Sequence, residues 1–328
     1  MRSKLYNVTD CETATLPFAD AIAHGDSERK KRIAIARPLI YDLGWTLVNR
    51  KGEIQKKAEY LVAETFCVPA IFNTAYYAQK RPIYLEKIER GELTIKPWDD
   101  IMREYVADLE RCDAVGAFNS MFDFKKAIPF TELYIRKLYS RDYYDWEKIQ
   151  QKICESIANK APFEKKTTDF DGETFCFRGR EYPLFDLWGL ATSYLLNTAT
   201  YKKECLEHNM LTNSGVFFKT SAESTYRYLM DMYDFDEAHT ALDDSIIESY
   251  ILSRIAARHA ISLGIQFFPF RDLGTTDDFC ASRRKVNRDH CRTVIDAMET
   301  YLDTATSSDS YRQSIENRIE RLRDLIGE

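Results

Sequence analysis

The chain has no Cys-x-x-Cys pair and no compact disulfide spacing, its eight cysteines standing apart at positions 11, 67, 112, 154, 176, 205, 280 and 291. That scatter argues against a disulfide scaffold and fits reduced thiols in a cytoplasmic protein. Cys280, His290 and Cys291 form the one suggestive group, with the wrong spacing for a zinc knuckle and no fourth ligand. A run of about 18 apolar residues, as a membrane helix needs, is missing, and the opening Met-Arg-Ser-Lys-Leu-Tyr-Asn-Val carries no apolar export segment. Positive charge is not in excess either: 46 Lys and Arg against 52 Asp and Glu leave a formal charge of −6, so the whole surface offers a polyanion no general attraction. Contact with nucleic acid would have to be local. An acidic total is still compatible with a nuclease, because bound cations neutralise a carboxylate centre. Internal repeats and low-complexity stretches are absent.

What is present is an ordinary globular composition, 45% hydrophobic and 30% charged over 328 residues, enough for one large α/β domain with an accessory piece. The 20 tyrosines and 19 phenylalanines are read mainly as core packing, with base stacking the minority use. Leu5 to Thr9 reads as a first strand delivering Asp10 to a sheet edge, and Leu39 to Val48, the turn Arg50-Lys51-Gly52 and Glu53-Ile54 as an antiparallel hairpin. The pattern from Ala58 to about Arg111 is mainly helical, with a helix start at Pro97-Trp98-Asp99-Asp100. A buried strand over Ala114 to Phe118 and a helix from near Phe122 follow. Further helices are predicted over Asp145 to Lys160, Leu184 to Leu196, Thr220 to Tyr233 from a capping box, and Ala241 to about Ser262, stopped at Gly264. Phe170 to Tyr182 alternates and suggests a small inserted hairpin. Two apolar helical stripes, Cys291 to Leu302 and Tyr311 to Ile326, flank a turn at Thr306 to Ser310 and predict a C-terminal helical hairpin.

Three short segments carry chemistry. Asp10-Cys11-Glu12-Thr13 puts carboxylates at i and i+2 of a strand, on one side, where they can share a cation. Asn119-Ser120-Met121-Phe122-Asp123 places another acid where a buried strand meets a helix, the edge at which open sheets build sites. His239-Thr240-Ala241-Leu242-Asp243-Asp244 opens a helix and pairs a group titrating near neutrality with a carboxylate, as proton abstraction beside a metal requires. Each alone has a bland explanation: a solvated strand end, a first-turn acid favoured by the helix dipole, a helix-end histidine.

In order, Asp-x-Glu-Thr after a first strand, Asn-x-x-Phe-Asp after a later one and His-x-Ala-x-x-Asp opening a helix resemble the three motifs of the DEDDh 3′→5′ exonucleases, which are DnaQ-like members of the ribonuclease H-like superfamily. The resemblance spans residues 5 to 255. It implies a ribonuclease H-like α/β fold, a mixed sheet flanked by helices, to which the patterns above add an inserted β-hairpin and a C-terminal helical extension. The implied division is an exonuclease domain over 1–264, with insertions at about 17–37 and 140–215, followed by a helical hairpin over 265–328. It implies two divalent cations, Mg²⁺ or Mn²⁺, held by Asp10, Glu12, Asp123 and Asp244, with His239 as general base. Thr13, Leu16, Asn119 and Phe122 would contact the substrate, the single-stranded 3′ end of a nucleic acid, DNA before RNA.

The sequence departs from the family where Thr15 replaces the usual glycine of the substrate loop, although Leu16 keeps the apolar position. Asp243 competes with Asp244 for the last ligand position, and the motif register favours Asp244. The basic run Arg29 to Arg32, with Arg37, could guide a phosphate backbone. The alternatives are an oligoribonuclease-like RNA exonuclease, or a proofreading or accessory subunit that docks on a polymerase or other replication protein through its C-terminal helices.

Overall fold

The computed structural model describes residues 4–15, 38–139, 172–283 and 285–328. Leu16, the basic run at 29–32, Arg37 and the helix expected over Asp145 to Lys160 lie outside the described residues. The chain forms two compact units, one from 1–187 and 237–265, the other from 188–236 and 266–328.

The first unit is α/β. Its sheet has seven strands in the order β4-β3-β2-β1-β5-β7-β6. β1 (Leu5–Ala14) is central, antiparallel to β2 (Leu39–Asn49) on one side and parallel to β5 (Ala114–Ala117) on the other. β3 (Ile54–Val62) pairs antiparallel with β2 and parallel with β4 (Thr94–Lys96). β7 (Arg180–Asp186) runs parallel to β5 and carries β6 (Thr174–Phe177) antiparallel at the edge. Its helices include α1 (Arg81–Glu89), α2 (Trp98–Leu109), α3 (Ile128–Leu138) and, after two helices of the second unit, α6 (Ala241–Ala256). β2 is buried along its whole length, so its run Leu-Ile-Tyr-Asp-Leu-Gly-Trp-Thr-Leu-Val is continuous rather than alternating. Trp45, Trp98, Tyr41, Tyr84 and Tyr105 are fully buried, which places these rings in the core and not on a base-stacking surface.

Several local expectations change: the helix expected to run to about Ser262 and stop at Gly264 ends at Ala256. β1 continues past Asp10 to Ala14, with an irregular step between Glu12 and Thr13. Residues 58–62, read as helical, complete β3, because pairing with β2 outweighs the propensity of its Lys- and Glu-rich sequence. The expected inserted hairpin is not an insertion: β7 is an integral strand, Val115 to Ala117 registering with Leu184 to Asp186, so the helix expected from Leu184 begins only at Leu187.

The second unit contains α4 (Ala199–Glu207), α5 (Ala222–Met230), α7 (Thr276–Ala281), α8 (Arg288–Thr304) and α9 (Asp309–Ile326). The last two are the expected C-terminal hairpin. Their apolar stripes, Cys291, Val294, Ile295 and Met298 with Ile315, Ile319, Leu322 and Ile326, are buried in one core with Tyr201, Cys205 and Phe218. Residues 188–236, assigned from sequence to the exonuclease domain, therefore belong with this hairpin, and the same stripes are not free to dock a replication protein. The buried Asp277 carboxylate fastens α7 to α9 through Arg318 at 2.5 Å and Arg321 at 3.2 Å. Ser221, rather than Thr220, caps α5, its hydroxyl accepting from the Ser224 N–H at 3.1 Å.

In the first unit α6 lies directly on β2. A Cβ added to Gly44 would stand 2.3 Å from the backbone carbon of Ala241 and from the nitrogen of Leu242, so only glycine allows this approach. The Ala241 N–H donates to the buried Asp42 carboxylate at 3.1 Å, and the Thr46 and Ser249 hydroxyls meet at 2.5 Å further along. Replacing Gly44 with alanine is expected to lower unfolding stability by about 1–3 kcal/mol, the usual cost of overpacking. Urea unfolding checks it, and an unchanged midpoint would contradict the packing argument.

Candidate metal centre

Strand pairing and the Gly44 contact decide what meets what. Asp10 registers opposite Gly44 and Glu12 opposite Asp42, so the first turn of α6 arrives beside the two acids of β1. One atom each from Glu12, His239 and Asp244 lie within 4.8 Å of one another, the one group able to hold a metal ion among the described residues. Cys280, His290 and Cys291 form no such group. The His239 Nδ1 stands 4.0 Å from Asp244 Oδ2 and 3.6 Å from Glu237 Oε2. Asp244, and not Asp243, joins the cluster: Asp243 accepts from the Thr240 hydroxyl at 2.6 Å and faces Lys87 at 3.4 Å.

His239 is held in an unusual backbone conformation, with φ 52°, a region that a side chain bearing a Cβ seldom occupies. Its ring stacks on Tyr77 at 4.5 Å between centroids and 15° between planes. The Lys80 ammonium donates to the Ala238 carbonyl at 2.5 Å, beside the histidine.

Asp10 and Asp123 lie outside the tightest group but share its electrostatics. Burial, then Glu248, Asp123, Asp244 and Glu12, push the Asp10 carboxyl well above the usual range. Asp123 is buried at the start of a π-helical turn, Asp123–Ala127, and accepts a hydrogen bond from the Cys11 thiol at 2.9 Å. Burial raises it to about 7. Cys11 stays a thiol, because burial and the neighbouring Asp123 carboxylate push it well up. Glu12 rises to about 7, chiefly by burial, against the opposing charge of Lys80. Asp244 rises to about 9 through burial and the charges of Glu237 and Glu12.

The remaining sequence-derived residues have mixed fates. Thr13 is half-buried in β1. Asn119 is exposed, its carbonyl accepting from the Phe122 and Asp123 N–H groups at 2.8 and 3.2 Å. Phe122 packs against the core. At Thr15 the Thr74 hydroxyl grips both backbone groups, N–H at 2.8 Å and carbonyl at 2.9 Å.

Sequence reading missed two acids. Glu248, buried on α6, accepts from the Phe118 N–H at 3.2 Å and so ties α6 to the end of β5. It stands four residues after Asp244, on the same helix face, which was the available signal. Glu237 stands two residues before the third motif's histidine and reaches its ring.

The residues fit a divalent cation. Asp244 Oδ1 is buried without a hydrogen-bond partner, and acids that repel one another in a desolvated site need a positive charge. The donors are carboxylate oxygens and one imidazole nitrogen, a set able to take a divalent cation. No protein-family model, curated protein or solved structure matches the chain, so this geometry and the sequence motifs carry the functional reading. No helix among the described residues is long and apolar enough to cross a membrane.

Each raised carboxyl holds its proton more tightly folded than unfolded. That contribution to stability is full below the unfolded pKa near 4 and is lost as pH rises through about 7 for Glu12 and Asp123 and about 9 for Asp244. The melting temperature of the metal-free protein should therefore fall between about pH 5 and 9, and Mn²⁺ should reverse the fall by binding the ionised acids. A flat metal-free profile, or no response to Mn²⁺ at the alkaline end, would contradict the assignment.

Proposed function

We propose that this chain is a metal-dependent 3′→5′ exonuclease of DEDDh type, acting on single-stranded nucleic acid with DNA preferred and releasing nucleoside monophosphates. The observation that carries the reading is the convergence of Glu12 with His239 and Asp244, residues more than 200 positions apart in the sequence, on one small site, with Asp10 and Asp123 coupled to them. A mixed sheet flanked by helices, with acids in the second half of β1 and in the helical segment after β5, supports a ribonuclease H-like domain.

Asp10, Glu12, Asp123 and Asp244 would hold two divalent cations, which when bound would lower the pKa of the attacking water and neutralise the charge on the leaving oxygen. The chain's own residues do the rest. His239 takes the water proton, and Glu237, 3.6 Å from Nδ1, stabilises the resulting imidazolium. The Cys11 thiol fixes the Asp123 carboxylate, and Glu248 fixes α6 on β5. The water oxygen bonds to the terminal phosphorus, the bond to the 3′ oxygen breaks, and the polymer leaves one nucleotide shorter.

A second reading makes His239 a ligand and not the base, because its ring nitrogen belongs to the tightest donor group. The RNA-directed, oligoribonuclease-like alternative keeps the same residues and changes only the polymer.

The test is a 5′-labelled single-stranded DNA or RNA incubated with Mg²⁺ or Mn²⁺. A ladder of shortening products is expected, absent with Asp10→Ala, Glu12→Ala, and the relative rates choose the polymer. His239→Gln should lower the rate by about 10²–10⁴-fold while metal affinity persists. Loss of metal affinity in that variant would favour the ligand role, and cleavage of neither polymer would overturn the exonuclease reading.

A further inference from the structure

The second unit gathers cations around a hollow of about 200 Å³, lined by Lys203 of α4, Phe279 of α7, Arg283 and Lys285 of the following loop, and His290 of α8. The segment from Arg283 to Arg288 reads Arg-Arg-Lys-Val-Asn-Arg, in a chain whose total charge is −6. Glu207 offsets part of this charge, 2.9 Å from Lys203 and 3.7 Å from His290. Arg283 and Lys285 are exposed, and neither has a carboxylate within ion-pair distance among the described residues. Crowding is real: with burial the first cause, the Arg283 charge helps push the neighbouring Lys202 ammonium below its ordinary pKa.

The uncompensated charges stand beside an aromatic face, the Arg283 guanidinium lying 4.1 Å from the centre of the half-buried Phe279 ring. The start of α8 is not the anion grip, because Asn287 Oδ1 already accepts from the Asp289 and His290 N–H groups at 3.0 and 3.4 Å. Recognition would come from the side chains. A guanidinium and an ammonium reaching into solvent beside a ring suit a polymer that carries phosphate and base at each step, with no test of base identity.

We propose that this patch of the second unit binds the phosphodiester backbone of single-stranded nucleic acid, with Arg283 and Lys285 as the phosphate-contacting groups. The choice of ligand class rests on the exonuclease reading; the charge arrangement does not.

The test is fluorescence anisotropy of a labelled single-stranded oligonucleotide of about 20 residues with the full chain in EDTA, over a salt series. Arg283→Gln, Lys285→Gln should weaken binding by about tenfold at low salt and reduce the slope of log affinity against log salt by about 1.4, from ~0.7 per lost phosphate contact on a single strand. Both substitutions are at exposed positions, and an unchanged melting curve confirms folding. An unchanged affinity and slope would overturn the proposal, as would a wild-type chain that binds no strand. Cleavage in Mg²⁺ is scored separately: strand binding lost in the double variant, with no cleavage by wild type, keeps the patch and rejects the exonuclease. Cleavage by both proteins with identical binding rejects the patch and keeps the enzyme.

Discussion

Between Gly44 and the Ala241-Leu242 peptide there is no room for a side chain, and this close approach of helix to strand governs the site. It seats the first turn of α6 on β2 directly opposite Asp10, and the Asp42 carboxylate, accepting from the Ala241 N–H, fixes the helix start. Everything chemical about α6 follows from that seating. Asp244 faces the acids of β1, Asp243 turns to Thr240 and Lys87, and one helical turn on Glu248 reaches the end of β5. The histidine just before the helix adopts a left-handed backbone and is steadied against Tyr77.

The arrangement concentrates charge of one sign where water is scarce. Burial is the leading cause of the raised carboxyls at Asp10, Glu12, Asp123, Asp244 and Glu248, and in most of them neighbouring acids add to it. Left metal-free, such a cluster opposes folding at alkaline pH. Protein interiors keep an arrangement of this kind where something else offsets it, and under the proposed function a divalent cation would do so while also supplying the means to activate water.

The motif residues were legible because their chemistry is local: acids at i and i+2 of a strand, an acid after a buried strand, a histidine and an acid at a helix start. The C-terminal hairpin was legible because a 3.6-residue apolar period has few rivals. What escaped depended on distant partners. Residues 58–62 look helical until β2 supplies the ladder. Leu184 and Phe185 look like a helix start until β5 registers with them in parallel. Glu248 carries no motif, and only the packing of α6 against the end of β5 gives it a role. The grouping of 188–236 with the last two helices was equally hidden, since those segments are far apart in sequence and meet through a shared core.

The central claim is that Asp10, Glu12, Asp123 and Asp244, gathered beside His239, form a divalent-cation site. Electron paramagnetic resonance of Mn²⁺ titrated into the full chain at pH 8 tests it most directly, since bound and free ions give different signals. The account predicts saturable loss of the free-ion signal with the wild-type protein, and affinity weakened at least tenfold by Asp244→Asn or Glu12→Gln with the fold intact, as expected when a charged ligand is removed from a small site. Undiminished free Mn²⁺ in the wild type, or equal affinity in all three proteins, would contradict it.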